Sequence, residues 1–345
     1  MSARLLFVKY PQRLFCWGMV LILGLGGGCA DGSGSGDPSQ LEALLPETVF
    51  ISVKLHRIST GHHWLAASLN GRKGNFILDT GAGGTVLDPT VLDRFRIDAA
   101  SAHGVKDSAG VGGAVELKQY KVETFSIDGE SLNLAEVNVV DLGAVLPGLS
   151  RAAGVNLHGI VGQDVLTAHG GILEVAADRL FLQRDSEKVT TDETDTGAWV
   201  KRLSEDGYVA LPLKKLATGH ETIGAEVNGV GGRFIIDSGA RLSVVNLGRL
   251  DHFEMTQADR LEADSASGGV GGAINIRQYQ LRSFRLEGQV VLQPTLGSSD
   301  LSAVVAAIEA EVGLLIDGVI GQDTLIRHHA IIDIAEQRLL LTALP

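Results

Sequence analysis

Apolar positions along the chain fall mostly into short runs and alternations, the pattern of β-strands. "VFISVKL" (49–55) and "GYVALPL" (207–213) alternate apolar and polar residues, as a strand with one buried face does. "NFIL" (75–78) and "RFII" (233–236) are unbroken apolar runs, suited to strands buried on both faces. Glycine turns of sequence Gly-Val-Gly-Gly separate further strand-like runs at 110–113 and 269–272. Helical spacing is rare. It is predicted for Leu301–Gly313, for a turn at Asp88–Phe95, and for a short helix after each Gly-Gln-Asp (162–164 and 321–323).

These elements occur twice. "LNGRKGNFILDTGA" (69–82) aligns with "VNGVGGRFIIDSGA" (227–240) at an offset of 158. "AGVGGAVELKQYKVETFSIDG" (109–129) aligns with "GGVGGAINIRQYQLRSFRLEG" (268–288), and "HGIVGQDVLTAHGGILEVAADRLFL" (158–182) with "DGVIGQDTLIRHHAIIDIAEQRLLL" (317–341), both at 159. Matches in one order with a one-residue slip mark a tandem duplication. The expected organisation is a signal peptide at 1–28, a flexible linker at 29–44, one lobe at 45–184, an acidic connector at 185–206 and a second lobe at 207–345. Asp-Thr-Gly-Ala also occurs at 195–198, but inside the connector and without a counterpart. The equivalent aspartates are therefore Asp79 and Asp237, and Asp195 is a decoy.

The leader adds a cellular expectation. Arg4, Lys9 and Arg13 precede the apolar run Leu14–Leu25, which has signal-peptide length and is short for a membrane span. Small residues lead to Cys29, followed by a Gly/Ser-rich stretch. This resembles the lipobox of bacterial lipoproteins, except that Gly26 stands where an aliphatic residue is usual. An ordinary cleaved leader with an incidental cysteine is the alternative. Either way export is expected, to the periplasm or to a lipid anchor in a bacterial envelope. Cys16 and Cys29 are the two cysteines, so the body has no internal disulfide, thiol nucleophile or cysteine metal site. The leader holds three of the 29 basic residues and none of the 41 acidic ones, leaving a formal charge of −15, which argues against a nucleic-acid partner.

Asp-Thr/Ser-Gly-Ala after an apolar strand, a Gly-Val-Gly-Gly hairpin, then two apolar residues and a glycine before a short helix resembles the retropepsin-like aspartic proteases, over nearly all of both copies. The resemblance implies an all-β acid-protease fold, with two lobes related by a pseudo-twofold axis and few short helices. It also implies that Asp79 and Asp237 face each other at that axis as catalytic residues. Flaps at Gly110, Val111, Gly112, Gly113 and at Gly269, Val270, Gly271, Gly272 would cover the cleft. Thr80 and Ser238 would bond across the axis, Gly81 and Gly239 would let backbone approach the carboxylates, and Ile160-Val161 and Val319-Ile320 would pack beneath the loops. Two close carboxyls cannot both ionise easily, so one serves as base and the other as acid toward a water. No metal or organic cofactor is required. The expected partner is a peptide or protein substrate, and the expected active form is a monomer that is its own pseudo-dimer.

The chain departs from the family at three places. Ala82 and Ala240 cannot donate to the carboxylates as a hydroxyl residue would, which predicts raised pKa values and a mildly acidic optimum. Gly83 and Arg241 replace the acidic member of the retroviral ion pair, and Gln163 and Gln322 replace its arginine. Arg241 places a cation beside the cleft and suggests a preference for acidic substrate groups. Adjacent His62-His63 and His328-His329 lack a metal-binding spacing. A silent peptide-binding lipoprotein of this fold is the alternative function, and an assembly-dependent protease, its copies pairing with another molecule, is a third.

Overall fold

The computed structural model describes residues 18–19, 23–24, 37–184 and 197–342, without the side chains of 18–19, 23–24 and 263–267. Cys29, Asp195 and most of the leader lie outside these residues.

The duplication is visible as two eleven-stranded sheets with the same strand order. In the first lobe His63–Leu69 runs antiparallel to Arg72–Leu78 through an Asn70-Gly71 turn, both residues having positive φ (49° and 70°). Asn228-Gly229 repeats that turn between Glu221–Val227 and Val230–Ile236. Asparagine and glycine tolerate the left-handed region that a two-residue hairpin turn requires. The strand after each turn is central. Arg72–Leu78 lies beside Gly159–Val161 in parallel, and Val230–Ile236 lies likewise beside Gly318–Ile320. Both faces of these strands are covered, which is why Phe76, Ile77 and Leu78, like Phe234, Ile235 and Ile236, form unbroken apolar runs that are fully buried. Two glycine hairpins project from the sheets: Gly104–Gly110 with Gly113–Lys121, and Arg260–Gly269 with Gly272–Gln280.

A third sheet of six strands belongs to both lobes. Its centre is the antiparallel pair of Ile172–Glu174 with Ile331–Asp333, flanked by Arg179–Gln183 and Phe50–Lys54 on one side, and by Arg338–Thr342 and Tyr208–Pro212 on the other. The largest apolar cluster spans both lobes and includes Leu173, Leu180, Ile332 and Leu339 from this sheet.

Helices follow the sequence expectation at Ser302–Val312, Gln163–Ala168 and Gln322–Arg327, with 3-10 turns at Pro89–Val91 and Asp93–Phe95. Three stretches differ from it. The predicted flexible linker is packed from Asp37 onward, where Ser39 and Gln40 bond the Glu174 carboxylate and Leu41 is fully buried. The predicted connector contains a helix, Ala198–Glu205, that buries Trp199 and Leu203. A further helix, Leu146–Ala153, starts at a proline near its N-terminus and ends at Gly154 in the left-handed region.

Candidate active site

Asp79 and Asp237 stand at the ends of the two central strands, and both are fully buried. The Asp79 amide bonds the Val161 carbonyl at 3.0 Å, and the Asp237 amide bonds the Ile320 carbonyl at 3.0 Å. The apolar pairs 160–161 and 319–320 thus fasten each aspartate loop from below. The chain then turns, so that the Gly81 amide donates to Asp79 Oδ1 and the Gly239 amide to Asp237 Oδ1, each at 2.7 Å.

Across the axis the two loops touch. A Cβ on Gly81 would collide with the Asp237 carboxyl, and one on Gly239 with the Asp79 carboxyl. Glycine is needed here because each loop lies flat against the other lobe's aspartate. Thr80 Oγ1 donates to the Ile236 carbonyl (3.0 Å) and accepts from the Ser238 amide (2.8 Å). Ser238 Oγ accepts from the Thr80 amide (3.0 Å) and donates to the Leu78 carbonyl (3.3 Å). These four bonds lock the loops together.

Burial pushes the Asp79 carboxyl up to about 6 and the Asp237 carboxyl well above its ordinary value, the latter raised further by the neighbouring Asp79 charge. The amides of Gly81, Ala82, Gly239 and Ala240 pull the other way without winning. Oδ2 of each aspartate has no hydrogen-bond partner among the described residues. Two adjacent carboxyls of this kind share protons as a unit and can hold one between them at mildly acidic pH.

The two glycine hairpins meet and cross each other. The Gly112 amide donates to the Val270 carbonyl at 2.8 Å. Val111 packs in the second lobe's cluster with Ile235, Ala240 and Val244, while Val270 packs in the first lobe's with Ile77, Ala82 and Val86. Gly110, Gly113, Gly269 and Gly272 form the last rungs of the two hairpins, and Gly112 and Gly271 lie in their turns. Two short pieces of the leader lie along the hairpin edges, Gly18–Met19 parallel to Ala109–Gly110 and Leu23–Gly24 antiparallel to Ser267–Gly268.

The structure brings the predicted loop residues Asp79, Thr80, Gly81, Asp237, Ser238 and Gly239 together, and brings the two Gly-Val-Gly-Gly turns against each other. Two kinds of support were not legible as such. Gln163 and Gln322, identified only as replacements for the retroviral arginine, donate from Nε2 to the Thr80 and Ser238 carbonyls, each at 2.9 Å. Asp164 and Asp323, the acids of the Gly-Gln-Asp motifs, bind the amide and hydroxyl of Thr85 and Ser243. Their recurrence in both copies was the available signal. Among the described residues no group of His, Cys, Asp and Glu could hold a metal ion.

The profile of a family described as aspartyl protease matches this chain twice, over residues 65–165 and 223–324. The chain belongs to the aspartyl protease family. Each match begins in the first strand of the hairpin that leads to an aspartate loop and ends in the short helix after the closing segment. Among curated proteins no match was found. Solved structures similar to this aspartyl protease chain include the aspartic proteinase from Irpex lacteus (14% identity, TM-score 0.49, covering 85% of this chain and 97% of that one). Basic 7S globulin from soybean is similar at 10% identity and TM-score 0.44, with 86% and 94% covered. A retropepsin-like aspartic protease from Rickettsia conorii is similar at 19% identity and TM-score 0.30, over 39% of this chain and 98% of that one.

Proposed function

We propose that the protein is an aspartic endopeptidase that hydrolyses peptide bonds with a water held between Asp79 and Asp237. The observation that carries this reading is the mutual placement of the two buried carboxyls, each against the other loop's glycine. One carboxyl is ionised and takes a proton from the water as it attacks the peptide carbonyl. The other, still protonated, gives its proton to the carbonyl oxygen, and a tetrahedral diol forms. The carboxyl now protonated gives its proton to the leaving nitrogen while the other takes one from a diol hydroxyl, which breaks the C–N bond, forms the product carboxyl and restores a singly protonated pair. The pseudo-symmetry lets either aspartate take either role.

The hairpins act as flaps that open for a substrate, shut over it and exclude bulk water. Their edges accept an added strand, as the leader segments illustrate, which suits an extended peptide. Arg241 beside the second loop biases the cleft toward acidic side chains. One chain supplies both aspartates, so the monomer is the active unit. We place the enzyme outside the cytoplasm, anchored through a lipid on Cys29; labelled palmitate incorporation that is lost in Cys29→Ser tests the anchor.

Digestion of an unstructured protein such as casein across pH tests the activity. Cleavage is expected, blocked by a statine-type inhibitor and abolished by Asp79→Asn and by Asp237→Asn separately. Peptide binding without cleavage at any pH would replace this reading with that of a silent binding protein.

A further inference from the structure

Both copies carry Thr-Gly-His just before the strand that leads to the aspartate hairpin, at Thr60–His62 and Thr218–His220. The glycines, Gly61 and Gly219, both have φ of 90° and turn the chain so that the histidine faces the opposite lobe. His62 Nε2 lies 2.9 Å from the Gly239 carbonyl oxygen, and His220 Nε2 lies 3.1 Å from the Gly81 carbonyl oxygen. Both rings are fully buried. A carbonyl only accepts, so Nε2 carries the proton in each bond. The other nitrogen, Nδ1, faces the hydroxyl of Thr60 at 2.7 Å or of Thr218 at 2.8 Å. In the neutral ring Nδ1 accepts from that hydroxyl, which fixes the tautomer.

The carbonyls involved matter because a peptide unit is a rigid plane: holding its oxygen aims its N–H. The plane from Ser238 to Gly239 has its oxygen held by Gln322 and sends its N–H to Asp237 Oδ1. The next plane, Gly239 to Ala240, has its oxygen held by His62; its Ala240 N–H bonds the Asp237 main-chain carbonyl at 3.3 Å, which closes the loop, and also favours the ionised form of the Asp237 carboxyl. The first lobe repeats this with Gln163 on Thr80 and His220 on Gly81, behind the amides of Gly81 and Ala82. The glutamine comes from the loop's own lobe. The histidine comes from the other lobe.

We propose that His62 and His220 are positioning residues, each clamping the peptide plane that closes the opposite lobe's aspartate loop, so that the loop amides keep their place around the carboxyl only while the lobes are docked. This assignment rests on the protease reading for its kinetic consequence but not for its electrostatic one. The groups that face the two carboxylates are each other and the amides of Gly81, Ala82, Gly239 and Ala240. The imidazoles bond the opposite end of the clamped planes. Releasing a plane removes an amide that stabilises the ionised carboxylate, so the carboxyl titrates at higher pH.

The test compares His62→Phe and His220→Phe, which keep a ring but lose the donor, with His62→Gln and His220→Gln, which keep a donor. At a temperature well below each variant's Tm, the Phe variants are expected to lose kcat on the order of tenfold, with KM within about twofold. Their acid limb of kcat/KM moves to higher pH, and the Gln variants recover most of both. In protein labelled with 13C at aspartate carboxyls, His62→Phe moves the Asp237 titration upward more than that of Asp79, and His220→Phe does the reverse. A lowered Tm with wild-type kcat and unmoved carboxyl titrations would overturn the assignment and leave the histidines as ordinary lobe contacts. If the Phe variants do not fold, Thr60→Val and Thr218→Val decide, through the same upward shift or its absence. An inactive wild type refutes the protease reading, while the carboxyl titration still tests the clamp.

Discussion

At the scale of single residues, burial governs Asp79 and Asp237 more than any partner does. An unfolded Asp titrates near pH 4, whereas burial raises the folded values of Asp79 and Asp237. The folded state therefore binds more protons than the unfolded one above that pH. The stability this confers is complete below about pH 4 and is lost as pH rises through the folded values. Asp79→Asn should abolish cleavage yet raise Tm at pH 8 and leave it little changed at pH 4. Calorimetry at the two pH values checks this, and equal gains at both would rule out charge burial as the cause. The same groups set the activity profile: kcat/KM should rise along an acid limb between about pH 4 and 6. A rate maximum below pH ~3 would contradict it.

Glu221 extends the argument beyond the site. It aligns with His63 of the first copy, which bonds Asp178 at 2.8 Å beside Arg57. In the second copy Lys215 replaces the arginine, Gln337 replaces the aspartate, and both Glu221 oxygens lack a hydrogen-bond partner among the described residues. Burial raises Glu221 to about 7, against the pull of Lys215 at 3.8 Å. Glu221→Gln should therefore raise Tm above pH 7 and change it little at pH 4.5, as read by thermal unfolding across pH. The aligned repeats made the aspartate pair legible, because strand, loop and closing segment recur around both. The roles of His62, Gln163 and Glu221 were hidden, since each depends on which carbonyl or charge the folded chain brings near, from the other lobe for His62 and from the same lobe for Gln163 and Glu221.

Among the elements, the hairpins would combine two demands under the proposed function: their backbones approach each other, and to admit a substrate they must also part. A Cβ on Gly112 would strike the backbone nitrogen of Gly272, although Gly112 itself has no left-handed conformation to protect. Gly112→Ala should thus impair closure without straining the open hairpin. A loss in kcat/KM on the order of tenfold or more is expected, with Tm nearly unchanged. Gly248→Ala, where a Cβ meets nothing within 4 Å, is the control and should keep wild-type kinetics. The Gly-Val-Gly-Gly spelling made these turns readable. The helix Leu146–Ala153 was less so, because Pro147 and Gly148 break the usual propensity and its burial rests on Leu146 and Leu149 alone. Likewise the helix in the connector presents few apolar residues, and it is tertiary packing of Trp199 and Leu203 that pays for its order.

For the molecule as a whole, the decisive feature is that neither lobe is complete alone. The pair Ile172–Glu174 with Ile331–Asp333 would become a bare apolar edge in either half, and the bonds from Val175 N to Ala330 O and from Ile334 N to Gly171 O extend that pairing at both ends. Trp199 in turn packs in one cluster with Leu41, Phe50, Phe181 and Tyr208, tying the N-terminal segment and the connector helix to the same shared sheet, with the Arg338 guanidinium 5.0 Å from its ring centroid. Removing that ring by Trp199→Ala should cost about 3–5 kcal/mol in urea unfolding. The covalent link through 185–196 raises the effective concentration of each half for the other. Cutting it at an engineered protease site should leave the halves associated and cleaving at micromolar concentration, because the shared sheet, the common core and the Thr80–Ser238 lock all remain. Association then carries the translational cost that the link had removed. Activity of the nicked protein should fall more steeply than first order on dilution, whereas that of the intact chain stays proportional to its concentration. Asp195→Asn, in the same link, should change neither. Immediate loss of cleavage on nicking would mean that the link itself shapes the cleft.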